Sequence, residues 1–153
     1  MTDASPPAPF ADPVIPVASE ADAARTADAA LPHLAAAGGR ALVTYVVEKA
    51  GGAPDKASVE QREAVAEAAF AAFRERADGT GVSVETTIRY GTDVAGEIRA
   101  AAADSGASAI VFVPRQGSRW ADLLTGNVRR KLVLGSDVPV VVLPTADPDD
   151  GGE

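Results

Sequence analysis

The chain has 153 residues, enough for one domain burying roughly two-thirds of the surface that its unfolded chain exposes. A net charge of −8 with only three lysines, Lys49, Lys56 and Lys131, excludes a general attraction to nucleic acid. The absence of cysteine excludes disulfides, thiolate metal sites and a thiol nucleophile, and no apolar run approaches the ~20 residues of a membrane-spanning helix.

Residues 1–11 are rich in Pro, Ala and Asp and are expected to be a disordered tail. They have neither the basic start nor the apolar stretch of a signal peptide, so a cytoplasmic protein is expected. PVIPVA (13–18) is a short apolar strand, although Pro13 and Pro16 argue for an edge position. Ser19-Glu20-Ala21-Asp22 has capping-box spacing and opens a helix whose inward residues are Ala23, Ala27, Ala30, Leu31 and Leu34. Pro32 is expected to kink or break its last turn, and Gly38-Gly39 to end it. ALVTYVV (41–47) is a second strand. Ser58-Val59-Glu60-Gln61 repeats the capping box and opens the longest helix, with a stripe of Val59, Ala66, Phe70 and Phe73, closed by Asp78-Gly79.

A third strand is read over 82–89, with apolar–polar alternation. Asp93 then caps a helix that turns Val94, Ile98 and Ala101 inward and stops at Ser105-Gly106. From Ser108 to Leu143 an apolar strand, a polar loop, a short basic helix and a second apolar strand follow one another. Residues 145–153, TADPDDGGE, form an acidic tail, which leaves 12–144 as the domain. Strands alternating with helices must be parallel, and right-handed crossovers place helices on both faces, so the fold class is doubly wound α/β.

The loop after the fourth strand leaves the carboxyl end of a strand and feeds a helix, a position suited to an anion. Arg115, Arg119, Arg129, Arg130 and Lys131 place five of the fourteen bases within seventeen residues beside a single acid, Asp122. Arg115 and Arg119 flank Gly117-Ser118, whose amides and hydroxyl suit a phosphate, and Asn127 stands at the helix start. The competing reading is that the later cations solvate the helix and pair with acidic neighbours. Trp120, the only tryptophan, is expected to anchor the loop, and His33, the only histidine, to lie at the surface or partly packed.

The ordered segments VIPVASEADA, LVTYVVE, VETTIRYGTDVAGEIRAAAADSGASAIVFVP and SDVPVVVLP, spanning about Pro13 to Pro144, resemble the universal stress protein family. The resemblance implies a five-stranded parallel sheet of order 3-2-1-4-5, which makes the proline-bearing first strand central. It also implies a homodimer through the last strand, with Val138, Val140, Val141, Val142 and Leu143 at the interface. Many members bind ATP through G-x2-G-x9-G-[ST] after the fourth strand. Laid on this chain without gaps, that motif falls on Val113, Gln116, Gly126 and Asn127, so the spacing survives while two glycines and the hydroxyl do not. A one-residue shift places Pro114 and Gly117 at the first two positions, and proline has no amide to donate.

The Asp that ends the first strand in the family and contacts the nucleoside corresponds to Ala18, beside Ser19. Tyr45-Val46-Val47 resembles the segment lining the adenine pocket. The ligand set implied is Ala18, Ser19, Val46, Arg115, Gly117, Ser118, Arg119, Gly126 and Asn127, holding ATP, another adenine nucleotide or another phosphate weakly, without a metal. The expected function is a non-enzymatic stress-response module. The alternative is a nucleotide-free protein-interaction module acting through its dimer surface. Nucleotide hydrolysis is a weaker reading, because no general base is evident.

Overall fold

The computed structural model describes residues 8–49, 56–113 and 127–144. Five strands, β1 (Val14–Pro16), β2 (Arg40–Glu48), β3 (Ser83–Gly91), β4 (Ile110–Phe112) and β5 (Val140–Val142), alternate with helices α1 (Glu20–Ala37), α2 (Lys56–Ala77), α3 (Val94–Ser105) and α4 (Asn127–Gly135). All pairings are parallel and the order is β3-β2-β1-β4-β5, so β1 is central as the family resemblance implied.

The place of the prolines in a central strand has a local cause. In a parallel ladder successive N–H groups point to opposite neighbours. Val14 donates to the Ala109 carbonyl of the β4 side, and Val17 donates to Thr44 of β2. The nitrogen of Pro16, two residues after Val14, therefore faces β4, where it removes one rung. The β1–β4 register holds at Val14↔Ile110, whereas β1–β2 runs from Val14↔Leu42 to Pro16↔Thr44. The proline thus weakens one ladder while leaving the other intact.

Alternation along β2 sorts the core into two layers. Ala41, Val43, Tyr45 and Val47 join Ile15, Val17, Val111 and Val113 beneath α1 and α2, together with Leu34, Phe70 and Phe73. Leu42 and Val46 face the opposite side, where Val14, Ile110, Phe112, Ile98 and Leu132 pack with α3 and α4. Both faces are covered, which is why the strand sequences read as nearly continuous apolar runs.

Ser19 caps α1 by accepting the Asp22 N–H at 3.0 Å, and the Asp22 carboxylate accepts the Ala18 N–H at 2.9 Å. The expected inward residues of α1 are all buried. Pro32 does not break the helix, which continues to Ala37. Pro32 and Asp28 both lie on the exposed side, so water can serve the Asp28 carbonyl that lacks its N–H donor. Gly38, at φ 62°, ends the helix as expected, with its N–H and that of Gly39 returning to Ala35 and Leu34. Helix α2 starts at Lys56, so Ser58 lies inside its first turn and is not its cap. Asp93 caps α3 by accepting the Gly96 N–H, and Gly106 closes it.

The packed chain begins ahead of the boundary expected at residue 12. Ser108 Oγ donates to the Pro9 carbonyl and accepts the Asp12 N–H, each at 2.8 Å. The Phe10 ring packs on the core and stacks on His33, centroids 4.9 Å apart. Gly39 permits this turn, because a Cβ there would overlap the Phe10 carbonyl oxygen.

Candidate functional site

The sheet reverses its order of winding between β1 and β4. The chain leaves β1 into α1 on one face, and leaves β4 toward α4 on the other. Such a switch point opens a crevice at the carboxyl ends of the two strands. The described chain next to that end of the sheet is Ala18 and Ser19 after β1 and Val113 after β4. Ala18 and Val46, singled out separately in the sequence, both pack against the core layer of α3 and α4, so the fold brings them to the same side.

The polar groups at the end of β1 are already engaged. The Ala18 amide and the Ser19 hydroxyl are both tied to Asp22, whose side chain is only 3% exposed. This leaves Ala18 with its methyl group packed on the layer of α3 and α4, and Ser19 serving the helix cap. Asp22 was legible as the last residue of a capping box. Its use of the Ala18 amide was not, since that depends on the turn of the backbone between strand and helix.

Arg115, Gly117, Ser118, Arg119, Trp120 and Gly126 lie outside the described residues, as do the side chains of Asn127 and Arg129. Of the basic cluster, Arg130 is exposed, and Lys131 Nζ stands 3.8 Å from Asp93 Oδ1 across the gap between α4 and α3. That pair matches the competing expectation of acidic partners, although it is long and half-exposed.

A polar cluster that no motif announced lies where β2 and β3 end. Tyr90 donates its hydroxyl to the Glu63 carboxylate of α2, and Lys49 Nζ lies 5.9 Å from the Tyr90 ring centroid. The hydrogen bond to Glu63 raises the Tyr90 pKa, with smaller contributions from burial and from the Glu63 charge. Four of the five residues expected at a subunit interface line the inside of the sheet. Val138 and Val140 pack toward α3 and α4, Val141 toward α1 and α2, and Leu143 is buried. Val142 is 49% exposed, on a strand paired only with β4 among the described residues. Among those residues no group of His, Cys, Asp or Glu is placed to hold a metal ion, and no helix is long and apolar enough to cross a membrane.

The model of the universal stress protein family matches residues 14–144. The chain belongs to that family. No curated protein sequence matches it. Among solved structures, it is similar to the universal stress protein UspA from Lactobacillus plantarum, with 22% identity, TM-score 0.65, and coverage of 89% of this chain and 99% of that one. It is also similar to the universal stress protein from Archaeoglobus fulgidus in complex with dAMP, with 18% identity, TM-score 0.63, and coverage of 88% and 98%. A family protein from Arabidopsis thaliana with AMP bound shows 19% identity, TM-score 0.60, and coverage of 90% and 99%. At these identities the likeness establishes the five-stranded architecture shared with the family.

Proposed function

We propose that this family member is a cytoplasmic homodimer that binds an adenine nucleotide weakly at the crevice between β1 and β4, without turning it over. What supports the reading is the switch point between β1 and β4, with Ala18 and Val46 packed on the same side of the sheet and an arginine-rich sequence lying between β4 and α4 in the chain. Relatives of the same architecture with dAMP and AMP bound support the ligand class. Arg115, Arg119, Gly117, Ser118, Gly126 and Asn127 would hold the phosphates by charge and by backbone or side-chain donors. Binding is weak because two glycines and the hydroxyl of the family motif are replaced, and Ala18 offers no carboxylate to the ribose. The net charge of −8 argues against nucleic acid as the partner.

Dimerisation would proceed through the side of β5 that has no strand partner among the described residues, the usual vulnerability of an apolar edge strand, here used by a second copy across a twofold axis. Calorimetry with ATP, AMP and inorganic phosphate tests the ligand, and product analysis after prolonged incubation with ATP tests turnover. Heat from a nucleotide without ADP formation is the expected result; no heat and no thermal stabilisation from any of the three would remove the binding reading.

One observation favours a second reading, a nucleotide-free interaction module. Both polar groups at the end of β1 are committed to Asp22. Stoichiometric nucleotide recovered with the purified protein would eliminate it.

A further inference from the structure

Strand β3 borders the sheet opposite β5, and among the described residues no strand pairs with its outer side. It is in register with β2 along its whole length, from Arg40↔Ser83 to Glu48↔Gly91. Neither proline nor lysine interrupts it, and Val, Thr, Ile and Tyr, residue types suited to a strand, make up most of it. The Lys49 N–H donates to the Gly91 carbonyl at 2.8 Å, which sets the phase of the backbone. Gly91 and every second residue before it turn N–H and C=O toward β2. Val84, Thr86, Ile88 and Tyr90 therefore turn theirs to the outer side.

The side chains of the strand alternate between two faces. Val84 and Ile88 pack toward α1 and α2, where Thr86 meets Arg74 and Tyr90 meets Glu63. Glu85, Thr87 and Arg89 stand on the face of α3, where Arg89 holds Glu97 at 3.1 Å and Asp104 at 3.3 Å. The two charges of β3 are placed symmetrically about Thr87, Glu85 ahead of it and Arg89 after it by the same interval. Tyr90 is 39% exposed, and beside Val84 an open groove lined by Ala77 and Val82 separates the end of α2 from β3.

We infer that the β3 edges of two copies of this chain pair antiparallel across a twofold axis at Thr87. In that register Val84 lies opposite Tyr90 of the second copy and Thr86 opposite Ile88, as hydrogen-bonded pairs that satisfy the outward backbone groups. Glu85 lies opposite Arg89, and Thr87 opposite its own copy, as the pairs without hydrogen bonds, whose side chains approach most closely. Aromatic with β-branched, opposite charges, and Thr with Thr are cross-strand pairs that stabilise a sheet. The groove beside Val84 leaves room for the Tyr90 ring. Any other register that keeps the hydrogen bonds sets each charge against a neutral residue or against its like. Built on backbone groups and charges, the contact is weaker than an apolar β5 dimer and fills at higher concentration. It goes beyond the proposed function and needs neither its nucleotide nor its β5 contact.

The chain has no cysteine, so one introduced thiol reports the register. Thr87→Cys places two thiols on the axis, with Cα atoms about 4.5 Å apart and within disulfide range. Ser83→Cys places them roughly 27 Å apart, at about 3.4 Å per residue. Both full-length variants are oxidised with diamide over a dilution series and run on non-reducing gels. Thr87→Cys is expected to form a disulfide dimer and Ser83→Cys to stay uncross-linked. Adding Glu85→Arg to Thr87→Cys sets like charges opposite each other and is expected to slow cross-linking about tenfold. Sedimentation of the cysteine-free chains at the highest concentrations is expected to give the native chain a larger mass than Glu85→Arg. Thr87→Cys that stays uncross-linked, or native and Glu85→Arg chains of equal mass, overturns the β3 contact. Ser83→Cys that cross-links as fast as Thr87→Cys overturns the register, and an unchanged rate with Glu85→Arg overturns the charge pairing. Each of these outcomes leaves the proposed function standing, because calorimetry reads nucleotide binding separately.

Discussion

Asp22 shows how one carboxylate can decide what a site offers. It is buried at the start of α1 and accepts the Ala18 amide, while its own amide donates to Ser19. Asp22→Ala removes the acceptor for a part-buried amide at a helix start, and is expected to cost about 1–3 kcal/mol in denaturant unfolding. Tyr90 makes a different prediction, concerning pH. Its hydrogen bond to Glu63 favours the protonated phenol, so the folded pKa lies above the ordinary value near 10. The stabilisation is therefore whole below about pH 10 and is lost as pH rises through the folded value. Titration of tyrosinate absorbance is expected to show a late-ionising tyrosine in the native chain that shifts earlier in Glu63→Gln. An unchanged curve in that variant would mean that Glu63 does not govern the ionisation.

At the scale of elements, α1 carries a proline at a position where a helix gains nothing from it. Pro32 leaves the Asp28 carbonyl without an intrahelical donor on an exposed face, and the helix continues because packing of Ala27, Ala30, Leu31 and Leu34 holds it. Pro32→Ala restores that bond and is expected to raise stability by about 1–3 kcal/mol, measured by thermal or denaturant unfolding. Tertiary burial outweighed local propensity at this point, and the same override allowed β1 to occupy the centre of the sheet. The start of α2 was misread for a related reason. Ser58-Val59-Glu60-Gln61 has the spacing of a cap, yet the helix has already begun at Lys56, because a capping pattern is equally at home inside a first turn.

For the molecule as a whole, the edge at β5, unpaired among the described residues, is the feature with the largest consequence. Val142 stands half-exposed on a strand whose other side pairs with β4. Val142→Lys places a charge on this edge and is expected to shift the proposed dimer to monomer in sedimentation while leaving the monomer folded. The opposite edge, β3, carries Glu85 and Arg89, with Arg89 bound to Glu97 and Asp104 of α3, and is poorly suited to apolar self-association.

Alternation of strand and helix, apolar runs buried on both faces, and the caps at Ser19, Asp93, Gly38 and Gly106 were legible in the residues, because each depends on periodicity or on backbone chemistry within a few positions. So was the inward face of α1. Contacts across long sequence separations were not. The clasp of Ser108 on Pro9 and Asp12, the Phe10–His33 stack and the Tyr90–Glu63 bond join residues that no local pattern connects. The engagement of Ala18 and Ser19 by Asp22 likewise became visible only once the turn from strand to helix had a geometry. Short-range chemistry selected the elements; the assembled sheet decided which polar groups, among them the Ala18 amide and the Ser19 hydroxyl, are occupied in holding the fold.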